Sequence, residues 1–138
     1  MKPVILERFT EALHRDGRTT EAVLRDGTVD LCDFIDELYP DDMQGETLSC
    51  VSAKFRLAAV EQACCAVLAR ADGHTGPLVA ALECVARLAA GMAGALPVSG
   101  EVDGQVVYNM ICAIHVYLLN AIPREPKDPQ LTEVAVVQ

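Results

Sequence analysis

Hydrophobic residues dominate the stretch Val106–Ile122, which holds no charged residue and only three strongly polar ones, Asn109, His115 and Asn120. At 100° per residue, the apolar side chains cover well over half of a helix surface, and such a helix must be covered by neighbours. The run has 17 residues, whereas a membrane-spanning helix needs about 20 apolar ones. The pattern therefore predicts the central helix of an all-helical bundle, buried within the chain and at a dimer interface.

One narrow stripe of this helix is less apolar than the rest. Its members recur every three or four residues: Gln105, Asn109, Ala113, Val116 and Asn120. The side across from it is apolar or aromatic. Ser99 or Asp103 is expected to start the helix, because a short polar side chain at this position caps the first backbone N–H groups.

Two more helices are predicted before the central one. Ser49–Ala71 is the longest, with Thr47 or Ser49 as its cap, and Leu78–Leu96 is amphipathic. The connection between them is short, so they are expected to form an antiparallel hairpin. In the longer helix, the apolar residues recur at alternating steps of three and four, as in a heptad seam: Cys50, Ala53, Leu57, Val60, Cys64, Val67 and Ala71. A second stripe predicts a second neighbour: Val51, Phe55, Ala58, Cys65 and Ala69.

The secondary structure of the first third of the chain is less clearly predicted. Pro3–Arg15 is predicted to be a helix that ends at Gly17. Thr19–Leu31 fits either a short helix ending at Gly27 or a hairpin, because Asp-Gly between apolar residues is also a hairpin signal. Thr28–Tyr39 is expected to be a helix, capped by Thr28 and ended by the proline that follows it.

The last residues differ in composition from the rest. Prolines recur at every third position after Ile122, which predicts an extended segment, and the final residues are rich in valine. We expect this arm to dock, as an added strand or by packing. The predicted architecture is thus an all-α bundle of four or five helices that forms a dimer, with residues 1–122 as the bundle domain and 123–138 as a Pro-rich tail.

The charge is strongly negative, with a formal net charge of −9. Binding of nucleic acid depends on neutralising phosphates with Lys and Arg, so a nucleic-acid partner is not expected. No Lys or Arg lies between Arg25 and Lys54, whereas eight acidic residues lie between Asp26 and Glu46. This segment is either a solvated face or a docking surface for a basic partner. Its candidate binding residues are Asp30, Asp33, Asp36, Glu37, Asp41 and Asp42.

Six cysteines are present, and none forms a C-x-x-C pair or a zinc-type spacing. Four lie in apolar helical runs, where a free thiol behaves as a small hydrophobic group. Charged residues come too early in the N-terminal segment for the apolar region of a signal peptide. We therefore expect six free thiols and a cytoplasmic protein.

Candidate chemistry is sparse. Tyr108, Cys112 and His115 share one side of the central helix, where they form either a small-ligand pocket or a buried hydrogen-bonded histidine. Asp72 and His74 are too few to hold a metal. The nucleotide-binding, hydrolase and metalloprotease motifs are not found, so no catalytic residue, metal or cofactor is assigned.

The sequence thus favours a small protein that acts by binding another protein, as a regulator, antagonist, adaptor or chaperone, and not as an enzyme. The alternative is a small-molecule-binding protein with a pocket near Tyr108, Cys112 and His115. A homodimer is expected because the wide apolar arcs exceed what a short chain covers, with Ala58 or Val116 at the interface. No membrane association is expected.

Overall fold

The computed structural model describes residues 20–40, 46–71 and 73–123. Within them, four helices and one two-stranded sheet follow one another along the chain, so the all-α class is confirmed. The elements are α1 (Thr20–Asp36), β1 (Thr47–Ser49), α2 (Cys50–Leu68), α3 (Pro77–Ala95), β2 (Glu101–Asp103) and α4 (Gly104–Ala121). The predicted helix Pro3–Arg15, the acidic pair Asp41 and Asp42, and the tail after Pro123 lie outside the described residues.

Helix α1 runs without interruption through Gly27, so both the predicted hairpin and the predicted helix end at this glycine are wrong. Leu24, Gly27, Leu31 and Ile35 are all buried at helical spacing, and their burial outweighs the local turn signal of Asp-Gly. Thr28 is not a cap, because its hydroxyl donates to the Leu24 carbonyl oxygen one turn earlier at 2.7 Å. This bond inside the helix satisfies a fully buried polar group.

Helix α2 contributes more buried residues to the core than the last helix, α4, to which the sequence analysis assigned the central position. It packs against both α1 and α3, and every member of its predicted heptad seam is buried. Ser49 is its cap, as expected, and its hydroxyl oxygen accepts a hydrogen bond from the Ser52 backbone N–H at 3.0 Å.

The turn between α2 and α3 depends on two glycines with positive φ, Gly73 at 80° and Gly76 at 152°. Pro77 occupies the first turn of α3, where its missing N–H costs nothing. The Lys54 ammonium, near the start of α2, donates to the Ala93 and Leu96 carbonyl oxygens at the end of α3, at 2.6 and 2.9 Å. This contact shows that the two helices are antiparallel, as predicted.

Strands β1 and β2 were not predicted. They pair antiparallel with Leu48 opposite Val102, and the ladder is extended by the Cys50 N–H, which donates to the Gly100 carbonyl oxygen at 2.9 Å. Each strand ends at the cap of a helix, and the Asp103 carboxylate accepts from the Gln105 N–H at 2.9 Å. The sheet thus holds the starts of α2 and α4 side by side.

One described helix, α3, is long and apolar enough to cross a membrane by length and composition alone. Core helices of water-soluble proteins that meet the same criterion are mostly buried, whereas only 28% of this helix window is buried inside the bundle. Its outward side carries the exposed residues Glu83 and Arg87, and the side chain of Leu88 is also 42% exposed.

Candidate functional site

Helix α4 is buried along one side only in the single chain, whereas the sequence analysis expected it to be covered both within the chain and at a dimer interface. Its core side consists of Val107, Ile111, Ile114 and Leu118, all fully buried. The opposite side is exposed and has the 3-4-3-4 spacing of a coiled-coil seam. We call this side the α4 seam; its members are Val106, Asn109, Ala113, Val116 and Asn120. Four of them belong to the stripe singled out from the sequence.

The α4 seam is flanked by two large side chains that are half exposed, Tyr117 and Leu119. A hydrogen bond with the Cys84 thiol of α3 raises the pKa of Tyr117 above its ordinary value. The flank that carries Tyr117 therefore lies beside α3. Along the seam, the Gln105 side-chain amide donates to Asn109 Oδ1 at 3.0 Å. No residue from Gly104 to Pro123 is charged. The surface is therefore apolar and amide-bearing, with no net field of its own.

A third side of α4 carries the Tyr39 cluster, which we define as Tyr39, Tyr108, Cys112 and His115. The Tyr39 hydroxyl is hydrogen-bonded to His115 Nδ1 at 3.0 Å, and its ring centroid lies 4.7 Å from that of Tyr108. Burial, and next the contact with Cys112, raise the pKa of Tyr39 to about 12. The three residues predicted as a possible pocket are thus brought together, with a side chain of this chain packed against them.

Tyr39 was not singled out from the sequence. It lies 76 residues from His115, and no local spacing connects the two. The only local signal was its position just before Pro40, which disfavours helical geometry at Tyr39, beyond the end of α1 at Asp36. The predicted hydrogen-bond partner of a buried His115, a carbonyl or Tyr108, is replaced by this tyrosine.

The acidic residues of α1 and of the turn directly after it form a second surface, the α1 acidic face: Asp26, Asp30, Asp33, Asp36 and Glu37. At 100° per residue, they lie within about 120° of one another and opposite the buried side of the helix. Asp33, Asp36 and Glu37 are exposed, whereas Asp26 forms an ion pair with Arg25 at 3.6 Å.

The fold also brings a cation to the end of the α1 acidic face. The Arg56 guanidinium of α2 donates to the Leu38 carbonyl oxygen at 2.6 Å. Although no Lys or Arg lies between Arg25 and Lys54 in the sequence, the fold thus places an arginine next to this acidic surface.

The second stripe of α2 lies largely open in the structure. Val51 and Phe55 are 64% and 47% exposed, Cys65 and Ala69 are exposed, and Ala58 is half-buried. The second neighbour predicted for this stripe is not found among the described residues. Both interface candidates from the sequence, Ala58 and Val116, thus lie on surfaces that the described part of the chain leaves open.

A groove of about 490 Å³ opens at one end of the bundle, between the starts of α1 and α3 and the end of α4. Its polar lining includes Glu21, Arg25 and His74, and its apolar lining includes Leu24 and Leu78. The sequence analysis placed no site here. Within the described ranges, no group of three or more His, Cys, Asp or Glu side chains is arranged to hold a metal ion.

Comparison of the chain with protein-family models, with curated proteins and with solved structures gives no match. Function must therefore be inferred from these surfaces.

Proposed function

We propose that this protein is a non-enzymatic, cytoplasmic protein-binding module whose α1 acidic face docks a basic partner. The observation that carries the proposal is the clustering of five acidic side chains on the outward side of α1 and of the turn directly after it. A fixed array of like charges attracts an oppositely charged surface over a distance of about 10 Å at ordinary ionic strength. It also discourages acidic competitors, so it provides selectivity as well as attraction.

A triple charge reversal tests the role of this face. Asp33, Asp36 and Glu37 are exposed, at the end of α1 and in the turn directly after it, so replacing all three by Lys leaves the core intact. The wild type, used as bait in its native cell extract, should retain one basic protein in stoichiometric amount, and the variant should lose it. For the purified pair, association should slow at least tenfold and lose most of its salt dependence, because steering acts mainly on the association rate.

A matched control separates position from total charge. Reversing Glu61, Glu83 and Glu101 to Lys changes the net charge equally but lies off the α1 acidic face. The control should bind the same partner with association rates within a few-fold of the wild type. Equal weakening by both variants, or retention of the partner by the α1 variant, would overturn the proposal.

Small-molecule binding is the second candidate, favoured by the groove at the end of the bundle. A volume of about 490 Å³ lies in the range of ligand pockets, which combine apolar walls with a few polar groups. Native mass spectrometry of freshly purified protein should then show a bound small molecule. Leu78→Trp, which fills the groove, should remove this mass, whereas Leu88→Trp on the outward side of α3 should not. A ligand mass that persists in Leu78→Trp would exclude this groove as its site.

A further inference from the structure

We propose that the α4 seam binds the α4 seam of a second copy of this chain, with the two helices crossing at Ala113. The inference is independent of the α1 acidic face, which lies on another helix. It rests on three properties of the seam: its spacing, its lack of charge and the self-complementarity of its side chains.

The spacing shows that α4 is built with two contact sides. Val107, Ile111, Ile114 and Leu118 attach the helix to its own bundle and are fully buried. The α4 seam lies opposite and has the same alternation of three and four, yet all five of its residues are exposed. A surface helix of a single bundle needs only one such side. The second side has the geometry by which one helix packs along another.

The charge distribution favours an identical partner. The chain carries a net charge of −9, so two copies repel each other across most of their surfaces. Two-fold pairing brings each surface against its own copy, which places like charges opposite one another. The α4 seam avoids this cost because no residue from Gly104 to Pro123 is charged. A basic partner gains nothing from this surface, whereas a second copy does.

The side chains of the α4 seam are also complementary to those of the same seam in a second copy. Ala113 stands at its middle and has the smallest side chain, so two helix backbones approach closely there. Val106 and Val116 add apolar area on either side. Asn109 and Asn120 carry both a donor and an acceptor, so each amide complements another amide. A single polar residue of this kind in a seam fixes register and copy number at some cost in stability.

A membrane surface is a poorer occupant. Helices that lie on membranes combine bulky apolar side chains with Lys and Arg on the polar side. The seam is centred on alanine and has two asparagines, and no residue of α4 itself is charged. Its chemistry therefore indicates a protein surface.

Sedimentation equilibrium of the full chain at micromolar concentration tests the proposal. The wild type should have twice the chain mass of 14.8 kDa. Val116→Arg should raise the dimer dissociation constant at least a hundredfold, because it buries an unpaired charge on each side of the two-fold axis. Val116 is 48% exposed in the single chain, so the bundle itself tolerates the change. The variant and the wild type should have the same urea midpoint at a concentration low enough for both to be monomers.

Two control variants make the result specific. Gln62→Arg adds the same charge at an exposed position of α2 and should remain a dimer. Ala58→Arg probes the second stripe of α2 and should also remain a dimer. A wild-type mass near 14.8 kDa, a dimer unaffected by Val116→Arg, or a dimer dissociated only by Ala58→Arg would each overturn the proposal.

Cross-linking locates the crossing point. A disulfide forms only when two Cα atoms come within about 7 Å, so Ala113→Cys should give a covalent dimer under mild oxidation. Glu83→Cys on the outward side of α3, and the wild type with its own thiols, should give none under the same conditions. Equal cross-linking of both variants would show that collision, and not a fixed crossing at Ala113, joins the chains.

Discussion

At the scale of single residues, two cations of α2 explain how the ends of the neighbouring helices are satisfied. The last carbonyl groups of a helix have no partner within the helix. Lys54 reaches two of them at the end of α3, and Arg56 reaches the Leu38 carbonyl beyond the end of α1. Positive charge also interacts favourably with the helix dipole at this end. Both side chains therefore stabilise the packing of α2 against its neighbours.

Replacing Lys54 by Met tests this interpretation. The apolar stem stays, but both hydrogen bonds to the end of α3 are lost, and bonds from charged groups contribute about 1.5–3 kcal/mol. Because Lys54 is partly exposed, we expect the unfolding free energy of the variant, measured in urea, to be lower by about 1–2 kcal/mol. Arg87→Met removes a cation from the exposed side of α3 and should change the unfolding free energy by less than about 0.5 kcal/mol. Equal effects of the two variants would contradict the capping role.

The Tyr39 hydroxyl predicts a specific pH dependence of stability. Burial is the main cause that raises its pKa from the ordinary value of 10.0 to about 12, so the folded protein holds this proton more tightly than the unfolded chain. The resulting stabilisation is fully present below pH 10 and is lost as the pH rises from 10 to about 12. The urea midpoint of the wild type should therefore fall over this interval.

Tyr39→Phe isolates that contribution from those of the other titrating groups. The variant should be less stable at pH 8 by about 1 kcal/mol, the usual net value of one hydrogen bond. Its urea midpoint should fall less steeply than that of the wild type above pH 10. Parallel curves for the two proteins would show that Tyr39 does not couple to folding in this range.

At the scale of elements, the sequence predicted what depends on local spacing. The heptad seam of α2 and the caps Ser49 and Asp103 were predicted because each is defined within a few residues. The unbroken course of α1 was not predicted, because the turn signal at Gly27 is local whereas the burial that overrides it comes from α2 and α4. Strands of three residues carry too few positions for a period-two pattern to be recognised.

The candidate sites divide in the same way. The grouping of Tyr108, Cys112 and His115 was predicted, because residues one turn apart on a helix must share a side. The contact with Tyr39 was not predicted, because this residue comes from the turn after α1, 76 residues away from His115 in the sequence. The sequence analysis placed Val116 at an interface, but it did not separate the open side of α4 from the covered one, since a run of apolar residues shows that covering is needed but not whether the same chain supplies it.

Two glycines in different conformations provide a prediction about the α2–α3 hairpin. A Cβ added at Gly91 or at Gly73 meets no atom within 4 Å, so neither substitution causes a clash. Gly91 is inside α3, and Gly91→Ala should raise the unfolding free energy by about 0.5–1 kcal/mol through lower backbone entropy of the unfolded chain. Gly73 has φ of 80°, and Gly73→Ala should lower the unfolding free energy by about 1 kcal/mol. Urea unfolding measures the free energy of both variants, and changes of the same sign would contradict the positive φ of the turn between α2 and α3.

At the scale of the whole molecule, the bundle separates its surfaces by chemistry. The α1 acidic face carries much of the negative charge, the α4 seam carries none, and α2 lies between α1 and α3 with its heptad seam buried. Such a separation allows a chain to bind its own copy on one side and an oppositely charged partner on another. The two proposals are therefore compatible, and each has variants that leave the other surface unchanged.

The six thiols report on the integrity of this arrangement. Cys65 is exposed, Cys84 and Cys112 are half-buried, and three cysteines are buried, Cys32, Cys50 and Cys64. Only the thiolate reacts, and burial raises the pKa of Cys32 to about 11 and that of Cys64 to about 12. Alkylation of the native protein should therefore modify Cys65 first, and the three buried thiols only when the bundle opens.

Alkylation followed by peptide mass spectrometry measures each rate. Urea below the unfolding transition should accelerate labelling of Cys32, Cys50 and Cys64 together, because all three become accessible in one cooperative opening, while the rate at Cys65 stays nearly constant. Denatured, non-reduced protein should show six reactive thiols, the number of cysteines in the chain. A count below six would reveal a disulfide that the fold does not contain, and fast labelling of Cys64 in the native protein would contradict the burial of the heptad seam of α2.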